Sequence, residues 1–333
     1  MYFGSDRDVF ESPLPLAGCA SLRAASSRAC VGSLRERSAP LDFLSEEGWS
    51  AGYRLLNTMR STATGMPLGA FRSAMPTTTA DGTTLRYEVA GDAGPTVVFV
   101  PDAGLGPWLW GWQAPALSGR YRTVVYAPRG TERSDAEGPY TVDRFAADLE
   151  AVLSAAGADR THVVGAGLGG TVALRYAREY GRARSLTLFG AAAAGDDVDG
   201  SALRALHPAD PTRLRESLSI AFSERFLSET GLVDDIVTWR REEDAAGDAL
   251  EGHLRAVREF DTGPLHELTL PTLVCHGLED PIVPVDAGRT LADGLPRGRF
   301  EAVEGRRCCF VEHSAAVTDA VERFIDENTP FDG

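Results

Sequence analysis

Three glycines stand where an apolar run passes into a helical segment, a junction that can bind phosphate or carry a catalytic group. Residues 163–174 have the sequence VVGAGLGGTVAL, in which Gly165, Gly167 and Gly170 match the spacing G-x-G-x-x-G. Such glycines let a backbone approach a dinucleotide pyrophosphate at a helix N-terminus. The same junction can instead present a nucleophile above the edge of a sheet. The spacing therefore allows two different chemistries.

A dinucleotide site needs an acidic residue about twenty residues further on, at the end of the next strand, to bind the ribose hydroxyls. The next predicted strand covers residues 185–189, and the nearest acid, Asp196, lies well beyond its end. The glycine turn also follows several earlier strands, whereas this fingerprint normally opens its domain. Dinucleotide binding at the Gly165–Gly170 turn is therefore the weaker alternative, and we expect neither a cofactor nor a metal.

The turn and its flanks resemble the nucleophile turn of the α/β-hydrolase superfamily, and the resemblance covers most of residues 75–333. Members of that family have the pattern small-x-nucleophile-x-small between a strand and a helix. In the chain Gly165-Ala166-Gly167-Leu168-Gly169 the nucleophile position is Gly167. Glycine tolerates the strained backbone of this turn but has no side chain that could attack a carbonyl. The resemblance thus implies the fold without its serine nucleophile.

The same resemblance assigns positions for the other two members of a catalytic triad. Residues 271–284 (PTLVCHGLEDPIVP) match the family's strand and acid loop, which makes Asp280 the retained acid. Counting back from Glu312, the histidine position falls on Arg307. Arginine stays protonated at neutral pH and cannot act as a general base. His313, six residues later, would reach the site only if the loop were shifted.

The loop after the third predicted strand differs from the family's His-Gly by carrying an acid, Asp102. A carboxylate facing the pocket would oppose a developing oxyanion rather than stabilise it. The sequence leaves open whether Arg307 pairs with Asp280 or with Asp102. We call the loop after the third predicted strand the oxyanion loop. The residues predicted to belong to this loop or to line the pocket are Asp102, Ala103, Leu168 and Trp108.

The elements that must position these residues alternate between short apolar strands and amphipathic helices. From residue 75 onward this alternation predicts an α/β fold with a mostly parallel, doubly wound sheet. Residues of about 195–265 are polar and helical and predict a helical cap inserted after the sixth strand. Residues 1–74 lack clean periodicity, and we interpret them as a disordered tail or a mis-assigned start, with the α/β-hydrolase domain spanning 75–333.

Charge is distributed unusually in this chain of 333 residues. All 33 basic residues are arginine, there are 48 acidic residues, and the net charge is −15. An acidic, lysine-free composition is typical of halophilic proteins; a GC-rich genome would explain the missing lysine but not the acid excess. Such a surface argues against nucleic acid or an anionic membrane as a partner. The 5 cysteines show no disulfide or metal spacing, which favours the cytoplasm.

The leading hypothesis is a protein that has lost serine-hydrolase activity and retains a pocket for a small molecule or a protein. A carboxylate-bearing ligand would suit Arg307, unless the buried charges neutralise one another and bind nothing. The alternative is an active ester or lactone hydrolase, or a lyase, with displaced catalytic residues. Cys308 and Cys309 are its candidate thiols, although small core residues are the simpler interpretation. The sequence makes no prediction of oligomeric state.

Overall fold

Eight β-strands form one sheet across residues 75–329, the part of the chain that the computed structural model describes. The sheet order is β1-β2-β4-β3-β5-β6-β7-β8, in which β1, β2 and β4 pair antiparallel and all other neighbours are parallel. The strands are β1 (Thr77–Ala80), β2 (Thr83–Ala90), β3 (Thr96–Val100), β4 (Arg122–Tyr126), β5 (Thr161–Ala166), β6 (Ala183–Phe189), β7 (Thr272–Gly277) and β8 (Gly298–Val303).

Helices cover both faces of the sheet, which explains why its central strands are continuous apolar runs. β3 has the sequence TVVFV, and all of its residues are buried. The α-helices are α1 (Gln113–Leu117), α2 (Val142–Ala155), α3 (Leu168–Glu179), α4 (Gly200–Leu206), α5 (Leu214–Ala221), α6 (Glu224–Glu229), α7 (Val233–Glu243), α8 (Gly247–Glu259), α9 (Val285–Gly294), α10 (Cys309–Glu312) and α11 (Ser314–Glu327). The predicted mostly parallel, doubly wound α/β fold is confirmed.

Five helices, α4 to α8, follow β6 and precede β7, where the sequence predicted a helical cap. We call the segment between these two strands the cap. Three elements were not predicted: the edge strand β1, which is only four residues long, α9, which follows the acid loop, and the short helix α10. The interpretation of residues 1–74 as a tail or a mis-assigned start lies outside the described residues. No helix of the described chain is both long enough and apolar enough to span a membrane.

Candidate functional site

The glycine turn joins β5 to α3 at the carboxyl edge of the sheet. Gly167 lies between the two elements with φ 47° and ψ −112°, a backbone conformation that is strained for any residue with a side chain. A Cβ atom at this position would lie nearer than 3.0 Å to Asp102 Oδ1 and to Arg307 Nη2. The space that a nucleophilic side chain would need is therefore filled by two charged side chains from other loops.

Asp102 occupies the position that a reaction oxyanion would take. In α/β-hydrolases the oxyanion hole consists of the backbone N–H after the nucleophile and an N–H from the loop after β3. Here those donors are Leu168 and Ala103, and both donate to Asp102 Oδ1, at 2.9 Å and 2.7 Å. Both hole donors are therefore satisfied by a carboxylate of the protein itself.

Arg307 joins Asp102 to the retained acid. Its Nε donates to Asp102 Oδ2 at 2.8 Å, and its Nη1 donates to Asp280 Oδ2 at 3.0 Å. Nη1 also donates to the carbonyl oxygen of Gly190 at 2.6 Å. The two pairings that the sequence left as alternatives thus coexist in one buried cluster. We call Asp102, Arg307 and Asp280 the charge cluster.

Asp280 has the hydrogen bonds that a triad acid needs for its orientation. Its Oδ1 accepts from the backbone N–H groups of Ile282 at 2.8 Å and Val283 at 3.2 Å. These bonds leave Oδ2 directed at the side chain of Arg307. An arginine therefore receives the interaction that would hold a catalytic histidine in its working orientation.

The charge cluster is stable as ions because each buried charge has several partners. Burial pushes the pKa of Asp102 upward, but Arg307 and the N–H donors of Leu168 and Ala103 outweigh it, so that the pKa falls below its usual value. Burial lowers the pKa of Arg307, but the charges of Asp102 and Asp280 outweigh this effect, so that the pKa of Arg307 rises above its ordinary value. Two carboxylates and one guanidinium leave one net negative charge, which the N-terminus of α3 helps to stabilise.

The structure brings together most of the predicted site residues: Asp102, Ala103, Gly167, Leu168, Asp280 and Arg307. Trp108 was predicted to line the pocket, but it lies buried against the cap. It is 3% exposed, and its Nε1 donates to Asp244 Oδ1 in the cap at 2.8 Å. His313 is exposed at the start of α11 and stays outside the buried cluster.

The cap is bound to the oxyanion loop by residues that the sequence analysis did not single out. At the end of α7, Glu243 Oε2 accepts from the Trp108 N–H at 2.7 Å, and Asp244 Oδ1 accepts from the Gly106 N–H at 3.1 Å. His253 on α8 accepts from the Gly104 N–H through Nδ1 at 3.0 Å. Glu243 and Asp244 lie in the polar run REED, which resembles a solvated helix face, so that the sequence carried no signal for these contacts.

A second buried histidine, His207, follows α4 and packs beside Gly104. Its Nε2 has no hydrogen-bond partner among the described residues. Burial, followed by the charge of Arg240, lowers the pKa of His207 to about 3, so that its ring is neutral at physiological pH.

The expectation of an open pocket at this site is wrong for the described residues. The cavity beside Asp102, Leu168 and His253 has a volume of about 10 Å³, which is room for about one water molecule. The Asp102 side chain and the cap fill the space that a substrate would occupy. Arg307 is 5% exposed, so that a carboxylate ligand could reach it only if the residues around it moved.

The alternative chemistries meet physical obstacles in the same region. Cys308 and Cys309 are buried, and burial raises the pKa of Cys308 well above its usual value and that of Cys309 to about 12, so that both remain neutral thiols. A dinucleotide phosphate would need the N-terminus of α3, but the Leu168 N–H already donates to Asp102. Among the described residues no group of three or more His, Cys, Asp or Glu side chains could hold a metal ion.

A mostly parallel sheet with a cap after β6 and a strained turn between β5 and α3 defines an α/β-hydrolase architecture. The model of the alpha/beta hydrolase family matches residues 97–322, and the chain therefore belongs to that family.

Several named proteins are similar to this chain along most of their own length. The chain is 25% identical to 3-oxoadipate enol-lactonase 1 of Acinetobacter baylyi over 255 residues, which cover 74% of this chain and 95% of that protein. It is 32% identical to the putative carbamate hydrolase RutD of Variovorax paradoxus over 232 residues, 63% of this chain and 84% of that one. A crystal structure of a hydrolase from Pseudomonas aeruginosa PA01 is similar with a TM-score of 0.67 and 26% identity, covering 76% and 98% of the two chains.

Proposed function

We propose that this chain is a member of the α/β-hydrolase family that has lost serine-hydrolase activity and has turned its former active site into a closed structural centre. The observation that carries the proposal is Asp102 Oδ1, which accepts hydrogen bonds from both oxyanion-hole donors, Ala103 and Leu168. A carbonyl substrate cannot place its oxygen there without removing a buried, ion-paired carboxylate.

The serine mechanism needs a nucleophile, a general base and free oxyanion-hole donors, and this site offers none of them. Gly167 supplies no nucleophile, and Arg307 stays protonated where a base must accept the nucleophile's proton. Asp280 alone could orient water only weakly, because Arg307 Nη1 already occupies its Oδ2. The electrostatic stabilisation that usually contributes most to acyl transfer is directed at Asp102 instead.

A binding role remains the best account of what the protein does, and it would use surfaces other than this site. The charge cluster and the cap contacts fill the former pocket, and Arg307 compensates the charge of only one of its two carboxylate partners. The carboxylate-ligand hypothesis therefore requires opening of the cap and rotation of Asp102 away from Arg307.

The second candidate is a hydrolase with displaced catalytic groups. Relatives that match along nearly their whole length are named as lactone and carbamate hydrolases, and their activities would come to this chain by analogy. Within the structure, the unpaired Nε2 of His207 beside the oxyanion loop is the group that favours this candidate. It would require a route for substrate beneath the cap.

One assay distinguishes the two candidates. The full chain, kept in about molar NaCl to screen its charge, is incubated with 4-nitrophenyl acetate, 4-nitrophenyl butyrate and an enol-lactone. We expect no turnover above the rate in buffer. Turnover that is lost in Asp280→Ala would overturn the proposal, and turnover lost in His207→Gln would establish displaced machinery. Asp159→Ala, which changes a fully exposed carboxylate, is the matched control.

A further inference from the structure

A second and larger cleft lies at the opposite edge of the sheet from the charge cluster. Its volume is about 470 Å³, within the range of small-molecule sites. Residues before β5, at the end of α3 and before β7 form its walls. β5 runs from this edge to the Gly167 turn, and its six residues separate the two places by about 20 Å. The cleft is thus independent of the degenerate site.

Two arginines give the cleft a positive charge on a chain whose net charge is −15. Arg160 is exposed and makes no hydrogen bond or ion pair with any described residue. Arg178 pairs with Glu267 through Nη1 at 2.5 Å and donates from Nη2 to the Pro264 carbonyl at 2.9 Å. Since Glu267 is neutralised in this way, the charge of Arg160 remains uncompensated.

The cleft also contains a polar group that is buried without a partner. Nε of Arg178 is inaccessible to solvent and has no hydrogen-bond acceptor among the described residues. A buried N–H without an acceptor costs roughly 1–3 kcal/mol. Because this Nε is closed to solvent, a ligand could use it only after a movement of the Arg178 side chain, and the anionic oxygen of a ligand in the cleft would pair first with Arg160.

Apolar and aromatic side chains form one part of the wall, beside the polar Thr269. Ala177, Tyr180, Leu268 and Leu270 contribute to it, and the Tyr180 ring is held by stacking on Tyr176 with ring centroids 5.0 Å apart. Such a wall suits a hydrocarbon or aromatic body. A single net positive charge suits one anionic group.

We propose that this cleft binds a small organic monoanion with an apolar body, such as a carboxylic acid, with Arg160 as its main charged contact. Arg178, which Glu267 and Pro264 hold in place, adds a second positive charge to the wall. The site does not depend on the loss of hydrolase activity, because no residue of the charge cluster lines it.

The test uses 2-naphthoate as the probe and its neutral amide, 2-naphthamide, as the ligand control. Calorimetric titration of the full chain should show saturable binding of naphthoate and clearly weaker binding of naphthamide. Arg160→Gln should weaken naphthoate binding about fivefold, the size expected for one exposed charge pair. Arg241→Gln removes an exposed arginine on the cap and should leave the affinity unchanged.

Backbone amide shifts in NMR spectra locate the bound probe. The amides of Gly181 and Thr269, both in the cleft wall, should move on addition of naphthoate. Absence of binding up to about 10 mM, equal affinity in Arg160→Gln, or shifts confined to Gly104 and Leu168 would each overturn the proposal. An active esterase in the assay described above would leave these expectations unchanged.

Discussion

At the scale of single residues, Asp102 performs two tasks with one carboxylate. Oδ1 satisfies the two N–H donors of the oxyanion hole, and Oδ2 accepts from Arg307. Removal of the side chain would leave all three donors without an acceptor in a buried site. We therefore expect the cluster to be sensitive to loss of any one member.

We predict that Asp102→Gly lowers the free energy of unfolding by about 3 kcal/mol, the cost of breaking a buried charged pair. Formate should restore much of this loss, because its oxygens can accept from Ala103, Leu168 and Arg307 in place of the missing carboxylate. The measurement is denaturant unfolding in formate and in chloride at equal ionic strength. An equal stabilisation of the unmodified chain by formate would indicate a general salt effect and contradict the prediction.

A serine placed at the nucleophile position should not restore activity. Gly167→Ser adds a side chain at positive φ and forces its Cβ against Asp102 and Arg307, at a combined cost of about 2–5 kcal/mol. We expect a lower melting temperature and no esterase turnover. Gly231→Ser is the matched control, because a Cβ there meets nothing within 4 Å. Esterase activity in Gly167→Ser alone would show that Asp102 leaves the hole readily.

At the scale of elements, the contact between α7 and the oxyanion loop keeps the site closed. Asp244 accepts from Gly106, from Trp108 Nε1 and from Arg240 Nε, the last at 2.7 Å. Burial raises the pKa of Asp244, and Arg240 counteracts this only in part. The cap is thus fixed by a carboxylate that is costly to bury and has three donors to compensate it.

We predict that Asp244→Ala loosens the cap. Hydrogen exchange of the Gly106 amide should accelerate, because that N–H loses its acceptor, and the stability should fall by about 3 kcal/mol. Exchange at strand amides such as Val98 should follow only the global change. Asp248→Ala, an exposed acid in the first turn of α8, is the control. Unchanged protection of Gly106 would mean that this bond does not hold the cap.

Two buried histidines of the cap should make the protein sensitive to acid. Burial lowers the pKa of His207 to about 3 and of His253 to about 4, from 6.5. Below pH 6.5 these two histidines become protonated in the unfolded chain but stay neutral in the folded chain. The free energy of unfolding therefore falls as the pH drops from 6.5 towards 4. At pH 5 each histidine should account for about 2 kcal/mol.

Urea unfolding at pH 7 and pH 5 measures this loss. His207→Gln and His253→Gln should each reduce the difference between the two pH values by about 2 kcal/mol. His313→Gln alters an exposed histidine and should leave the difference as it is. A difference that persists in both buried-site variants would attribute the acid sensitivity to other groups.

The elements show where sequence patterns are sufficient. β3 and β4 are short apolar strands of the kind that the sequence predicted, and Thr141 caps α2 by accepting from the Arg144 N–H. The positions of Gly167, Asp280 and Arg307 followed from motif spacing, because the fold fixes where those loops meet. The closure of the site by the cap could not be predicted from motif spacing. Glu243 and Asp244 belong to a charged run, and only the packing of the cap on the oxyanion loop buries them.

At the scale of the whole molecule, the acid excess bears on how the stability of the fold responds to salt. Many arginine–carboxylate pairs lie on the described surface, such as Arg204–Glu251 and Arg299–Glu327, but exposed pairs contribute at most about 1 kcal/mol each. Repulsion among the remaining acids extends over about 10 Å at 0.1 M salt and about 3 Å at 1 M.

We predict that the melting temperature rises by about 5 °C or more between about 0.1 M and 2 M NaCl, since screening weakens repulsion in the folded state more than in the expanded chain. Differential scanning fluorimetry measures the shift. Sucrose at matched osmolality separates screening from general exclusion effects. A melting temperature that falls with salt would contradict a halophilic interpretation of the composition.

The close approach of Asp102 and Arg307 to Gly167 also constrains how such a site can change over time. Asp102 and Arg307 can take their present positions only in a chain without a side chain at position 167, so that a nucleophile there and this charge cluster exclude each other. With Asp102 and Arg307 in place, we expect that no single substitution can create a working serine nucleophile at position 167. A selection for esterase activity should therefore yield nothing from one-residue libraries and should require Gly167→Ser, Asp102→Gly and Arg307→His together.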